Sequence, residues 1–134
     1  LSDAASVLDW LQQYNTNSKV VWVAGFSFGA WVAMQLLMRR PEINNFISVS
    51  PPANTRDFSF LAPCPSTGLI VHGDKDTITS FDSTKILSEK LQKQKKVNIH
   101  FKSIKGADHF YENFTDQFSS IIDNYIKDSL ADLK

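Results

Sequence analysis

The strongest constraint on the fold of this chain is the stretch from Val20 to Met34, where an apolar run breaks at a glycine, turns through one serine and resumes as helix-compatible sequence. Residues Val20–Ala24 are β-branched, aromatic or small, without polar alternation, which predicts a strand buried on both faces of a parallel sheet. From Gly29 onward the sequence favours a helix. The turn between them fits the pattern G-x-S-x-G.

This pattern predicts a specific local geometry for Ser27. The serine sits on a strained turn between strand and helix, where both flanking glycines, Gly25 and Gly29, let neighbouring backbone pass closely. Its hydroxyl then projects from the carboxyl edge of the sheet. The helix that follows presents free N–H groups and a positive dipole end, which favour an oxyanion.

The rest of the chain alternates between helical and strand periodicity. Strands are predicted at 46–49, 68–73 and 97–101, the last being an edge strand buried on one face, and helices at 3–14, 82–93 and 113–130. The helix at 82–93 is predicted to turn Ile86, Leu87 and Leu91 inward, and the connection over 53–67 is too short for a lid domain. Residues 1–134 are therefore predicted to form one α/β domain, with a parallel sheet of about four strands and helices on both faces.

Composition narrows the classes of partner and cofactor. The 14 basic and 14 acidic residues cancel, so no net field would attract nucleic acid or an anionic membrane. No stretch reaches the roughly 18 apolar residues of a membrane span. Cys64 is the only cysteine, which excludes an internal disulfide and favours the cytoplasm. No cluster of ligating side chains has metal spacing, and we expect a small-molecule substrate without metal or cofactor.

A nucleophilic serine needs a base and an acid that holds the base. His109 follows the last predicted strand and supplies the base, while Asp74 and Asp76 follow the strand before it. Because the carboxyl ends of parallel strands share one edge of a sheet, these side chains should meet Ser27 there. His72 is interpreted as a structural residue at a strand end.

Other residues receive non-catalytic interpretations. His100 is expected to face solvent from the edge strand. Asp108 is assigned to the cap of the last helix rather than to the relay. Cys64 lacks a nucleophile turn around it, and we expect it to be buried.

Three segments, quoted in chain order, resemble one superfamily. Ala24–Ala30 (AGFSFGA), Val71–Asp76 (VHGDKD) and Gly106–Phe110 (GADHF) resemble the nucleophile elbow, acid loop and histidine loop of the α/β-hydrolases. The similarity is closest to small, lidless bacterial members near the carboxylesterase and dienelactone-hydrolase groups. It covers essentially the whole chain but only the C-terminal portion of the family's fold.

The resemblance implies roles for individual residues. Asp76 matches the family's acid position and is favoured over Asp74, which would brace its loop by accepting backbone N–H groups. The Phe28 N–H would be an oxyanion donor. An apolar acyl pocket would involve three aromatic side chains near the turn, Phe26, Trp31 and Phe110.

The resemblance also implies that the first strands of the family's sheet and its second oxyanion loop have no counterpart here. We therefore expect the chain to be the C-terminal portion of a longer hydrolase, with Val20–Ala24 left as an exposed sheet edge. The function predicted is a serine hydrolase that cleaves esters or similar small acyl substrates, with Ser27, His109 and Asp76 as the triad. The alternative is a non-catalytic fragment that pairs through its open edge with the N-terminal half or with a second copy of the chain. A flavodoxin-like binding domain is a third possibility.

Overall fold

A computed structural model describes residues 1–15, 17 and 20–131 of the chain. Helices and strands follow one another in the predicted order, with boundaries displaced by no more than three residues. A short 3-10 turn at Ser59–Leu61 lies in the connection over residues 50–66. The helices and strands are α1 (Ser2–Tyr14), β1 (Trp22–Phe26), α2 (Phe28–Arg39), β2 (Asn45–Val49), β3 (Thr67–Gly73), α3 (Phe81–Gln92), β4 (Ile99–Ile104) and α4 (Thr115–Ala131).

The four strands form one parallel sheet in the order β1-β2-β3-β4, as predicted. At its carboxyl edge, Phe26 lies opposite Val49 and Val49 lies opposite Val71. Gly73 lies opposite Ile104, two residues further along β3. Because every strand runs in the same direction, the loops after β1, β3 and β4 emerge along this one edge.

Helices cover both faces of the sheet, which confirms the predicted layering. On one face, α1, α2 and α3 enclose a core that contains Met34, Phe46 and Leu91. On the other face, α4 packs over Leu69 and Val71. Burial of an apolar side chain of this size stabilises the fold by about 1.5–3 kcal/mol, so the loops at the carboxyl edge are carried by well-packed strands.

Two strands form the edges of the described sheet. β1 starts two residues later than predicted, and its residues are half-buried or exposed, with Phe26 42% exposed. The burial on both faces predicted for Val20–Ala24 is therefore not observed, whereas the exposed edge inferred from the resemblance is. β4 is the other edge, as predicted, with Ile99 buried and His100 exposed.

Two helices present different faces from those predicted. In α1 the apolar face remains largely open: Leu8 is buried, but Tyr14 is 65% exposed. In α3, Ile86 is 68% exposed, so the prediction that it faces inward is wrong. The stripe that α3 buries includes Thr84 and Leu91 instead, and the Thr84 hydroxyl donates to the carbonyl of Pro51 at 3.3 Å.

Candidate active site

Ser27 occupies the turn between β1 and α2. Its backbone has a φ of 55° and a ψ of −122°, a conformation that residues other than glycine rarely adopt and that costs about 1–3 kcal/mol. The Ser27 N–H donates to the carbonyl of Val49 at 2.8 Å, which ties the turn to β2. Such strain is typical of a turn that must project a nucleophile from the end of a strand.

The glycine before the serine is required by packing, and the glycine after it is not. A Cβ at Gly25 would lie 2.7 Å from the Cα of Ala30 and closer still to the carbonyl of Gly29. At Gly29 an added Cβ would meet nothing within 4 Å among the described residues. The close backbone approach predicted for both positions is therefore confirmed at Gly25 and wrong at Gly29.

His109 connects Ser27 to Asp76. Its Nε2 lies 3.0 Å from the Ser27 Oγ, and its Nδ1 lies 2.7 Å from the Asp76 Oδ2. Because an ionised carboxylate can only accept, Nδ1 carries the proton and donates it to Asp76. Nε2 is then free to accept the hydroxyl proton of Ser27. His109 is only 3% exposed, so water hardly competes for these bonds.

Both oxygens of Asp76 are occupied by donors. Oδ1 accepts the backbone N–H groups of Ile78 and Thr79, each at 2.8 Å. Oδ2 accepts the Thr79 hydroxyl at 2.8 Å in addition to His109. Burial would raise the pKa of Asp76, but the hydrogen bonds from Thr79, His109 and Ile78 outweigh it, and the pKa lies below its ordinary value. The carboxylate is therefore ionised at neutral pH.

Asp74 bonds to the loop after β4 and not to the His109 ring. Its Oδ1 accepts the backbone N–H of Gly106 at 2.7 Å, which is the bracing role expected for it. The loops after β3 and β4 also meet at Gly73, where an added Cβ would collide with the carbonyl of Ala107. These two contacts fix the distance between the loop that carries Asp76 and the loop that carries His109.

The backbone N–H of Phe28 is placed to serve as an oxyanion donor. Phe28 is the first residue of α2, and the first N–H groups of a helix have no carbonyl within the helix to bond. The positive end of the helix dipole lies at the same point. A negative oxygen formed beside Ser27 would therefore be stabilised from this side.

The structure separates the three aromatic residues predicted for an acyl pocket. The rings of Phe26 and Phe110 each lie 5.0 Å from the His109 imidazole and 6.0 Å from one another. Both line an open apolar hollow of about 540 Å³ between the end of β1 and the start of α4. Trp31 does not join them, since its ring packs 5.6 Å from Phe28.

A cation lies on the Trp31 side of the turn. The Arg56 guanidinium stands 5.1 Å from the Trp31 ring and 5.3 Å from the Phe28 ring. The Trp31 indole N–H donates to the carbonyl of Asp57 at 3.2 Å. Trp31 therefore holds the connection between β2 and β3 against α2, so the prediction that it shares a pocket with Phe26 and Phe110 is wrong.

Of the four residues that were given non-catalytic interpretations, three have the expected surroundings and one has a different role. His72 is fully buried near the end of β3, and His100 is exposed on β4. Cys64 is a buried free thiol whose pKa is raised by burial. Asp108, however, accepts the N–H of Glu112 at 3.0 Å, so it holds a turn before α4 instead of capping the helix.

Sequence reasoning missed Thr79, Ser50 and Tyr111. Ser50 and Tyr111 both have positive φ, and their hydroxyl oxygens lie 2.7 Å apart. Burial raises the pKa of Tyr111 to about 12, so this hydroxyl is neutral and links the histidine loop to the end of β2. A threonine three residues after an aspartate is the one sequence signal that could have indicated Thr79, because such spacing suits a side-chain bond across a turn.

Two kinds of site are absent from the described residues. No group of three or more His, Cys, Asp or Glu side chains within them is arranged to hold a metal ion. Among the helices of the described ranges, none combines the length and the apolar character needed to cross a bilayer.

Comparison with models of known protein families shows which family this chain belongs to. The model of the dienelactone hydrolase family matches residues 1–131. The chain belongs to the dienelactone hydrolase family. The α/β-hydrolase resemblance inferred from the three motifs is thereby confirmed.

Relatives and solved structures agree with this family membership. An uncharacterized protein of Rickettsia prowazekii (strain Madrid E) is 53% identical over 128 residues. A crystal structure from Agrobacterium tumefaciens, of a protein of unknown function assigned to the α/β hydrolases, is 50% identical with a TM-score of 0.94. A lidless α/β serine hydrolase from Xanthomonas campestris is 25% identical with a TM-score of 0.82.

The chain spans only part of each of these proteins. The match covers 92% of this chain but 54% of the Rickettsia protein. It covers 97% of this chain and 60% of the Agrobacterium structure, and 93% of this chain and 54% of the Xanthomonas structure.

Proposed function

We propose that this member of the family is a serine hydrolase that cleaves esters or related small acyl compounds through an acyl-enzyme. One observation carries the proposal: an unbroken series of contacts runs from Ser27 through His109 to Asp76, at 3.0 Å and 2.7 Å. A hydroxyl becomes a useful nucleophile when a positioned base can take its proton, and the base works when its other nitrogen is held by an anion.

The first half of the proposed reaction forms the acyl-enzyme. The Ser27 Oγ attacks the carbonyl carbon of the substrate while its proton passes to the Nε2 of His109. The carbonyl oxygen becomes negative and accepts the N–H of Phe28. Collapse of this tetrahedral adduct breaks the bond to the leaving alcohol, which takes the proton from Nε2. Asp76 stays ionised throughout and stabilises the imidazolium.

The second half regenerates the serine. A water molecule gives a proton to the Nε2 of His109 as its oxygen attacks the acyl carbon. The new adduct collapses, the acid leaves, and the Ser27 Oγ recovers its proton from the imidazolium. Removal of one oxyanion donor lowers kcat by a factor of about 10²–10³. The Phe28 N–H and any further donor are therefore expected to contribute similar factors to the rate.

Features around the triad favour small substrates with an apolar part. Phe26 and Phe110 pack on the ring of His109, the proposed base. The connection between β2 and β3 contains a three-residue 3-10 turn rather than a lid. Esters with short apolar groups are therefore the proposed substrate class, since such groups fit an open hollow without a cover.

Pre-steady-state hydrolysis of p-nitrophenyl acetate and butyrate tests this proposal. We expect a burst of p-nitrophenol close to one equivalent, followed by slower turnover as the acyl-enzyme accumulates. Ser27→Ala should abolish the burst, whereas Ser59→Ala, a matched change at an exposed serine, should leave it intact. A burst of equal size in Ser27→Ala would contradict the proposal.

The open edge of β1 favours a second candidate, a non-catalytic chain that pairs with further polypeptide. Within the described residues β1 has a strand on one side only. In α1, the helix that precedes β1 in the chain, Trp10 is 58% exposed. Exposed apolar edges of this kind are templates for another strand, from an N-terminal half or a second copy. Sedimentation of the purified chain as a stable monomer, with no burst, would contradict both candidates.

A further inference from the structure

His72 is a buried histidine that the proposed mechanism does not use. It is the penultimate residue of β3 and is completely inaccessible to solvent. Its Nε2 lies 3.2 Å from the Thr79 carbonyl oxygen and 3.2 Å from the Asp76 Oδ2. Its Nδ1 has no hydrogen-bond partner in the described part of the chain.

These contacts fix the protonation state of His72. The Thr79 carbonyl can only accept, so Nε2 carries a proton and donates it. A second proton on Nδ1 would be buried without an acceptor, and burial lowers the pKa of His72 despite the nearby Asp76. The groups that face the ring are Asp76 and Thr79 from its own loop, His109 from the next loop and the Phe81 ring of α3 at 5.9 Å. His72 is therefore a neutral donor at Nε2.

Thr79, which receives this bond, holds both oxygens of the catalytic carboxylate. Its backbone N–H donates to the Asp76 Oδ1 and its hydroxyl donates to the Asp76 Oδ2, both at 2.8 Å. The same hydroxyl oxygen lies 3.2 Å from the His109 Nδ1. Thr79 thus determines the direction in which the carboxylate faces the imidazole.

We propose that His72 is a positioning residue of the triad, which acts by anchoring the Thr79 carbonyl and thereby orienting Asp76 toward His109. This inference rests on the proposed hydrolase function. Loss of the Nε2–H leaves the Thr79 carbonyl buried without a donor and frees the turn at 76–79 to rotate. Asp76 then loses the two donors that Thr79 supplies, and only the Ile78 N–H and the His109 bond still restrain the carboxylate.

A pair of variants separates the donor from the volume of the side chain. In His72→Gln the amide nitrogen reaches approximately the position of Nε2 and can donate to Thr79, whereas His72→Met fills a similar volume without a donor. We expect kcat for p-nitrophenyl acetate to fall about tenfold in His72→Met with KM little changed, below the roughly hundredfold that a 1 Å misplacement can cause. His72→Gln should restore kcat to within about threefold of the wild type.

The division of the effect between kcat and KM gives a readout that a general loss of structure would not mimic. Because His72 is fully buried and contacts Thr79 and Asp76, the loss in His72→Met should fall on kcat and be recovered in His72→Gln. An unchanged kcat in His72→Met would overturn the inference. Equal losses in both variants would overturn it too, since the donor would then be irrelevant.

A measurement on the wild-type protein needs neither activity nor a variant. Nitrogen-15 NMR of the His72 ring at neutral pH should show the neutral Nε2–H form, with the Nε2 proton protected from exchange. A protonated ring or the Nδ1–H form would overturn the inference even if both variants fail to fold. If Ser27→Ala leaves the burst intact, the hydrolase proposal fails separately, and the NMR result still decides whether His72 anchors Thr79.

Discussion

Replacement of Asp76 by asparagine should reverse the tautomer of His109. Oδ1 accepts two backbone N–H groups at 2.8 Å, so the amide oxygen of Asn must take that position to avoid two buried unpaired donors. Its NH2 group then occupies the place of Oδ2, 2.7 Å from the His109 Nδ1. Two donors cannot face one another at this distance, so Nδ1 must become the acceptor and the proton moves to Nε2.

The magnitude follows from this change of tautomer. With a proton on Nε2, His109 cannot accept the Ser27 hydroxyl proton, and a triad in this state loses about 10⁴ in kcat, or about 5 kcal/mol of transition-state stabilisation. Steady-state hydrolysis of p-nitrophenyl acetate by the protein at its natural full length measures the loss. NMR of the ring nitrogens shows whether the proton has moved.

Asp74→Asn is the matched control for this experiment. Asp74 accepts one N–H, from Gly106, and an amide oxygen can replace that acceptor. Activity should therefore stay within about tenfold of the wild type, with stability reduced by about 1 kcal/mol. A loss of three orders of magnitude in Asp74→Asn, together with a folded and active Asp76→Asn, would refute the assignment of the acid.

Three stability predictions follow from the same contacts. Gly25→Ala should abolish folding or lower Tm by more than 10 °C, because its Cβ collides with helix backbone, whereas Gly29→Ala should stay within about 3 °C in the same calorimetric scan. Tyr111→Phe should reduce the free energy of unfolding in urea by about 1–2 kcal/mol, since it leaves the Ser50 hydroxyl buried without its partner; an unchanged midpoint would contradict this role. The pKa of Asp76 is lower in the folded state than in the unfolded state, so its contribution to stability is present above its unfolded pKa of about 4 and is lost as the pH falls through the folded pKa. The difference in unfolding free energy between wild type and Asp76→Asn in urea titrations should therefore shrink as the pH is lowered through the acidic range; a constant difference would contradict this assignment.

The order of helices and strands could be predicted because apolar periodicity and turn residues act locally. The apolar run before the serine and the alternation near Ile99 both fall on strands. Which face a helix buries depends on its neighbours, and this information is missing from the periodicity. Ile86 shows the difference: the pattern predicted that it faces inward, but it is exposed and α3 packs through Thr84.

The proposed trio of Ser27, His109 and Asp76 could be predicted because each member lies in the loop that follows a strand. The residues alone did not decide between Asp74 and Asp76, since both lie in the same loop; the structure separates them by which backbone N–H groups each accepts. The role of Thr79 was out of reach because it depends on how the turn at 76–79 folds back on the carboxylate. Local sequence also could not show that Trp31 turns away from Phe26, because this depends on the connection between β2 and β3.

Covalent labelling with a fluorophosphonate, followed by peptide mass spectrometry, tests most directly whether Ser27 is an activated nucleophile. A serine with its hydroxyl 3.0 Å from a neutral, carboxylate-held imidazole should be phosphonylated in preference to every other serine of the chain. Labelling should disappear in Ser27→Ala and fall by orders of magnitude in Asp76→Asn. A folded wild-type protein at its natural full length that remains unlabelled, or that carries the label at another residue, would contradict the hydrolase proposal.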